Sequence, residues 1–352
     1  VKFIFNLLIF LPAYGFSQIP LGYYNSAQGL TGNNLKYALH NIIKNHTVLS
    51  YSALWSAFQT TDKKANAKVY DIYSFNPGGA QPYEYTFITN QCGTYNSESD
   101  CYNREHSWPQ SWFNSVPGPD SDLFHIYPTD GYVNGQRGNF PYGNVSSASW
   151  TSMNGGKLGP CSNVGYASTV FEPINEFKGD VARSYFYMTT RYYSEDGGWS
   201  SSAATNKADI LPWEMTVLLN WHHSDPVSAK EIARNDSIYK LQHNRNPFID
   251  HPNWADSAWL TPTAIYEFET EKISSYSIYP NPSQNNFYLI SHLKQKLKAV
   301  CTVSSVTGNI ILEKQIFEQD DENIDCSNWP SGIYFITVTS EKYVSRLRFV
   351  KL

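Results

Sequence analysis

"CYNREHSWPQSWF", residues 101–113, places Glu105 and His106 side by side and follows them with Pro109 and a second tryptophan after Trp108. Along a regular strand neighbouring side chains point to opposite faces, so an acid and an imidazole at adjacent positions share a site only where a strand is ending. Pro109 supplies a stop, because proline has no N–H to give to a ladder. Taken alone, such a pair is commonly a strand terminus with a surface acid and a hydrogen-bonded imidazole. Its meaning depends on what the rest of the 352-residue chain places around it.

That chain is long enough for one large domain and a small one. Its formal net charge is -5, which is not the balance of a protein held to its partner mainly by phosphate contacts. It opens "VKFIFNLLIFLPAYGFSQ", one lysine and then a run of about ten apolar residues, short for a bilayer span. Gly15 and Ser17 supply small residues where a signal peptidase reads, so residues 1–17 are expected to be a signal peptide cut near Ser17/Gln18. The less favoured alternative is an uncleaved anchor. No later segment reads as a transmembrane helix, and no stable membrane insertion is expected.

Five cysteines suit an exported chain and leave at least one odd thiol. Cys92 and Cys101 bracket the polar loop "GTYNSESD" at a spacing a hairpin could close, and we expect them to form a disulfide bond. Cys301 and Cys326 are candidates for a second bridge, which would leave Cys161 free. Neither CxxC nor HExxH occurs, so neither a zinc ribbon nor a zincin metalloprotease is indicated.

Helical spacing of Leu35, Ala38, Leu39, Ile42 and Ile43 predicts a helix capped at Asn33 or Asn34. From Tyr70 to Cys101, short aromatic and β-branched pieces such as "YEYTFI" predict strands. The Gly-, Asn-, Ser- and Pro-rich stretch 114–175 predicts loop and short turns. Helices are predicted again over "GDVARSYFYMTTRYY" and "ILPWEMTVLLNWH", and in a third stretch opened by Asp225 and Pro226. Beyond a composition break near 266–276 the pattern becomes all-β, with "NNFYLI", "AVCTVSSV", "NIILEKQIF", "GIYFITVT" and "SRLRFVKL" separated by turn signals, the mark of a small sandwich. The expected fold class is therefore α+β followed by a small β-sandwich. Its expected divisions are a signal peptide at 1–17, a large mixed domain at 18–268, a linker at 269–276 and the sandwich at 277–352. Residues 18–270 carry 16 Lys plus Arg against 23 Asp plus Glu, whereas 271–352 carry 9 against 8. The acidity belongs to the large domain.

Downstream of His106 comes "DGYVNGQRGNFPYG", in which Asn134 precedes Gly135 and Arg137. Alone it is a turn-rich loop. Joined to "NREHSWPQSWF" by "DLFHIYPTD", and followed by "FEPINEFKGDVARSYFYM" and "HNRNPFIDHP", it resembles the bacterial endonuclease I family, secreted or periplasmic nucleases with a ββα-metal (His-Me finger) core. The resemblance runs from about Gly22 to Tyr266. It implies His106 as general base, Glu105 as ligand of a single divalent cation and Asn134 as its second protein ligand. Arg137 and Arg183 become candidates for holding the scissile phosphate, since a guanidinium offers a fixed donor fork. One carboxylate and one amide leave most of an octahedral shell open, which suits Mg²⁺, or another hard cation such as Mn²⁺ or Ca²⁺, and does not suit zinc. A neutral imidazole near pH 7 can take a proton from water. Family members commonly read "DLHHL" where this chain has "DLFHI", so Phe124 occupies the first His position. His222, His223, His243 and His251 read as structural, and Asn244 and Asn246 as backbone-holding residues.

The C-terminal sandwich, opened by "YPNPSQNNFYLI" and closed by "PSGIYFITVTSEKYVSRLRFVKL", resembles the sorting domain of type IX secretion cargo. Together the two resemblances imply a secreted, metal-dependent, largely sequence-nonspecific endonuclease acting on DNA and, as a second option, RNA. Its expected partners are a nucleic acid substrate and the type IX secretion machinery, and it is expected to be a monomer. The competing reading is a secreted adhesive or binding module on an inactive nuclease-like scaffold, favoured by the acidity, which opposes encounter with a polyanion.

Overall fold

The strand carrying Glu105 and His106 stops at His106 itself. In the computed structural model of the protein, Tyr102–His106 pairs antiparallel with Ile126–Asp130, and the helix Gly131–Arg137 follows directly. This ββα unit belongs to the first of two compact units, Val1–Thr263 and Ala264–Leu352. The structure describes residues 19–260, 276–292, 298–306, 309–317, 320–340 and 344–352. The expected signal peptide and nearly all of the expected linker lie outside them.

In chain order the first unit runs α1 (Gly32–Ile43), α2 (Leu54–Thr61), β1 (Tyr102–His106), β2 (Ile126–Asp130), α3 (Gly131–Arg137), β3 (Trp150–Thr151), β4 (Lys157–Pro160), β5 (Thr169–Glu172), α4 (Lys178–Arg191), β6 (Thr205–Asn206), β7 (Asp209–Ile210), α5 (Pro212–Ser224), α6 (Ala229–Gln242), α7 (Pro247–Asp250) and α8 (Trp254–Trp259). Helix α4 forms the centre, with every residue from Lys178 to Arg191 buried and α1 and α5 packed on it. Burial on all sides explains why charged residues interrupt its apolar pattern. Each such charge finds a partner in the interior, as Arg183 does with Glu231 of α6 at 2.5 Å.

Two boundaries differ from the sequence reading. Helix α1 begins after Thr31, not at Asn33 or Asn34. Helix α6 is opened by Ser228, whose side chain accepts from the Glu231 backbone while Glu231 reaches back to the Ser228 backbone. This reciprocal capping box is worth about 1 kcal/mol. Asp225 ends α5 instead and accepts from the Gly179 backbone at 2.8 Å.

The larger correction concerns Tyr70 to Cys101, where strands were expected and no named strand forms. Its backbone polar groups are satisfied by side chains, as where Gln81 bonds both backbone groups of Asn76 and Asn90 Oδ1 accepts from the Thr86 N–H. Its aromatic residues are buried for another reason. Tyr73 and Tyr85 turn their hydroxyls toward β1 and β2 carboxylates. The expected Cys92–Cys101 disulfide is present and ties the end of this segment to the start of β1. Closing its loop contributes on the order of 2 to 3 kcal/mol in the chain-entropy account.

The second unit contains β8 (Tyr276–Tyr279), β9 (Asn286–Ser291), β10 (Lys298–Ser305), β11 (Ile310–Phe317), β12 (Glu322–Asp325), β13 (Gly332–Ser340) and β14 (Val344–Lys351). They form a sheet of order β11-β10-β13-β14 and another of order β12-β9-β8. Alternate residues such as Cys301, Val303, Ile336 and Val338 fill the apolar core. The β8 and β12 strands, too short to stand out by pattern, were not anticipated. Cys301 and Cys326 are both buried and both free. As small apolar groups they pack the core rather than bridging it, so three thiols, Cys161 included, are free where a second bridge would have left one.

Candidate active site

The register of β1 and β2 sets Glu105 opposite Tyr127 and His106 opposite Ile126. Asn103 and Glu105 bond to side chains of α3, whereas Arg104 and His106 both lie against the ring of Tyr51. The acid and the imidazole thus leave the last two positions of β1, Glu105 beside α3 and His106 beside Tyr51.

Glu105 is buried, with 2% of its surface exposed. Tyr73 Oη donates to its Oε1 at 2.8 Å, Arg137 Nη1 at 2.9 Å and Tyr142 Oη at 3.4 Å. Every one of these bonds ends on Oε1, and among the described residues none takes Oε2. Burial pushes the carboxyl above its usual range, while Arg137 and the two tyrosine hydroxyls pull it back.

Asn134 comes from α3, which starts because the Asp130 carboxylate accepts from the Val133 backbone at 2.8 Å and stops at Gly138, whose φ of 54° suits glycine. The Asn134 amide donates to Asn103 Oδ1 at 2.8 Å. Its own Oδ1 has no protein partner among the described residues. A carboxylate oxygen and an amide oxygen left over in this way fit a hard divalent cation that keeps water and phosphate in most of its shell, and fit zinc poorly. Among the described residues no group of three or more His, Cys, Asp or Glu could form a closed cage.

His106 is buried beside the ring of Tyr51, the two rings stacked at 5.8 Å. Its Nε2 lies 3.2 Å from the carbonyl oxygen of Asp120. A carbonyl only accepts, so the proton of the neutral ring sits on Nε2 and the basic lone pair is on Nδ1. Burial holds the imidazole well below 6.5, with the neighbouring His125 adding to the effect. Near neutral pH it is therefore an unprotonated base.

Arg137 and Arg183 are both buried and bonded within the protein. Arg137 is fully buried, and besides Glu105 it donates to the carbonyls of His106 at 2.8 Å and Ser107 at 2.5 Å. Its guanidinium also lies 4.4 Å over the Tyr142 ring. Arg183 sits apart in another cluster, donating to both oxygens of Glu231 and to the Asp225 carbonyl. The Arg183 fork is taken up by the protein, Arg137 keeps its Nε without a partner among the described residues, and both side chains are buried.

Phe124 packs on Tyr187 at 4.5 Å between centroids. His125 is fully buried and bonds the Pro119 carbonyl at 2.6 Å. His222 bonds the Pro252 carbonyl, His223 the Asp256 carboxylate and His243 the Thr47 hydroxyl, while His251 stacks on Trp254. Asn244 donates to the Ile43 carbonyl, and Asn246 caps α7. Sequence reasoning missed Tyr73, Tyr142 and Asp120. A loop tyrosine and a backbone carbonyl leave no periodic or motif signal.

One strand pair and the helix after it thus carry a carboxylate, a carboxamide and a neutral imidazole. Comparison with known proteins identifies the class. The Endonuclease I family model matches residues 31–253, and a model of the secretion system C-terminal sorting domain matches residues 277–351. The chain is 37% identical to an extracellular ribonuclease of Bacillus subtilis over 246 residues, 67% of this chain and 78% of the relative. A second extracellular ribonuclease, from Bacillus amyloliquefaciens, is 37% identical over 248 residues with the same coverage. An extracellular deoxyribonuclease of Aeromonas hydrophila is 30% identical over 140 residues, 39% of this chain and 51% of the relative. The chain belongs to the endonuclease I family, a family of metal-dependent nucleases, and is a secreted nuclease carrying a C-terminal sorting domain. No helix among the described residues is long and apolar enough to cross a membrane.

Proposed function

We propose that this nuclease cleaves both DNA and RNA with little sequence preference, using one divalent cation, Mg²⁺ or a similar hard ion such as Mn²⁺ or Ca²⁺. Glu105 Oε2 and Asn134 Oδ1 would hold the ion. When bound, it would supply positive charge to the phosphoryl oxygens. His106 Nδ1 takes the proton of the attacking water, the Asp120 carbonyl keeps the ring in the tautomer that allows this, and the Tyr51 ring steadies its orientation. Arg137 is assigned to positioning: together with Tyr73 it fixes Oε1 of Glu105 so that Oε2 is left free. Arg183 is assigned to the interior of the fold.

The observation that carries this reading is the division within Glu105, where among the described residues one oxygen takes every protein hydrogen bond and the other none. RNA joins DNA as a substrate because the two relatives aligned over most of the chain are ribonucleases by name. We also infer a leader at 1–17, a nuclease domain at 18–268, a linker at 269–276, a sorting domain at 277–352 and a monomeric mature enzyme. Plasmid nicking and RNA cleavage, each with and without chelator, test the activity. Cleavage that persists undiminished in chelator would overturn the metal assignment, and binding of nucleic acid without any cleavage would favour an inactive binding scaffold.

A further inference from the structure

An acidic domain that acts on a polyanion needs at least one cation whose charge the protein does not itself cancel. The described part of the first unit holds six arginines. Arg137 pairs with Glu105, Arg183 with Glu231, Arg191 with Glu195, Arg234 with Asp62, and Arg245 with Asp236 and Asp250. Among the described residues Arg104 alone of the six has no carboxylate within ion-pair distance. It is held by other means. Its guanidinium lies 3.5 Å over the ring of Tyr51 and 4.5 Å over that of Trp55, and Nη1 donates to the Tyr51 carbonyl at 2.8 Å. Aromatic faces and a carbonyl fix the head in place while leaving its charge whole.

The position of this cation is as informative as its freedom. Arg104 is two residues before His106 on β1, so the two side chains share a strand face. Both touch the same ring, His106 stacking on Tyr51 at 5.8 Å. Arg104, Tyr51 and Trp55 are all partly exposed, and neither Nε nor Nη2 of Arg104 has a protein partner among the described residues.

We propose that Arg104 is a substrate-binding residue: its free guanidinium edge takes a backbone phosphate of the nucleic acid strand on the His106 side of β1, with Tyr51 and Trp55 as the platform that holds it. The inference rests on the nuclease reading above. It assigns a phosphate contact to the partly exposed Arg104, where Arg137 and Arg183 are buried.

The test is binding of a short fluorescein-labelled DNA duplex to the full chain in chelator, followed by fluorescence anisotropy across a salt series, alongside steady-state cleavage in Mg²⁺. Arg104→Ala removes the cation, and Arg104→Met keeps its length and its contact with the rings while removing the charge. Both are expected to weaken binding about tenfold at low salt and to reduce the slope of log Kd against log salt by about one. KM should rise by a similar factor while kcat stays within about threefold. A salt slope unchanged in Arg104→Met, with thermal stability retained, overturns the proposal. So does a fall in kcat with KM and the slope unchanged, which would make Arg104 a support for His106 alone. If the wild-type chain cleaves but its salt slope does not respond to Arg104, only this inference fails. If it neither binds nor cleaves, the nuclease reading fails with it.

Discussion

Replacing Arg137 separates two accounts of this site. If its guanidinium held the scissile phosphate, Arg137→Met would lower turnover and leave stability nearly unchanged. The structure shows Arg137 and Glu105 as a buried ion pair, 2.9 Å apart with side chains 1% and 2% exposed. Removing the cation strands a carboxylate with no counter-charge, and takes one donor each from the carbonyls of His106 and Ser107. Breaking a pair of this kind from one side costs about 3 to 5 kcal/mol. For a unit of this size each kcal/mol lowers Tm by roughly 2 to 4 °C, so the variant should melt roughly 6 to 20 °C early. Adding Glu105→Gln removes the stranded charge and should return at least about 2 kcal/mol, although the double variant stays inactive for want of its carboxylate. Thermal melting of the four proteins in this cycle, with plasmid nicking in parallel, reads both quantities. An Arg137→Met protein that melts like wild type, or a double variant no more stable than the single one, would refute the reasoning.

His106→Ala should lower kcat by about 10² to 10⁴ with metal binding intact, whereas Glu105→Ala and Asn134→Ala should raise the Mg²⁺ concentration needed for half-maximal activity; a metal titration of cleavage distinguishes the two classes. His125 has its pKa lowered to about 4 by burial, so between pH 6.5 and 4 the unfolded chain binds a proton that the folded one refuses, and stability falls as pH is lowered through that window. The effect is worth about 3 kcal/mol, and denaturation midpoints measured against pH should flatten by that amount in His125→Gln; a profile parallel to wild type would remove His125 as the cause. A chain of residues 18–270 should keep most of its nuclease rate once purified but should remain in the periplasm of the native host, which assays of purified enzyme and of culture supernatant would establish.

What the sequence determined by itself is whatever a local pattern encodes. The repeat of apolar residues marked α1 and α5, alternation marked β9, β10, β11, β13 and β14, and the spacing of Cys92 and Cys101 marked their bridge. Glu105, His106 and Asn134 could be singled out because adjacent positions of one strand and one short helix carry all three. Tertiary structure decided the rest, because it concerns which distant groups meet. Tyr70 to Cys101 has the composition of strands, yet its aromatic side chains are spent on carboxylates of β1 and β2 rather than on a ladder of its own. Cys301 and Cys326 could have bonded, but the sandwich core uses them as apolar filling. The arginines make the point most directly. A guanidinium in a sequence is only a charge, and whether it serves substrate or scaffold depends on whether folding brings a carboxylate to it, as Glu105 and Glu231 come to Arg137 and Arg183 and none comes within ion-pair distance of Arg104 among the described residues.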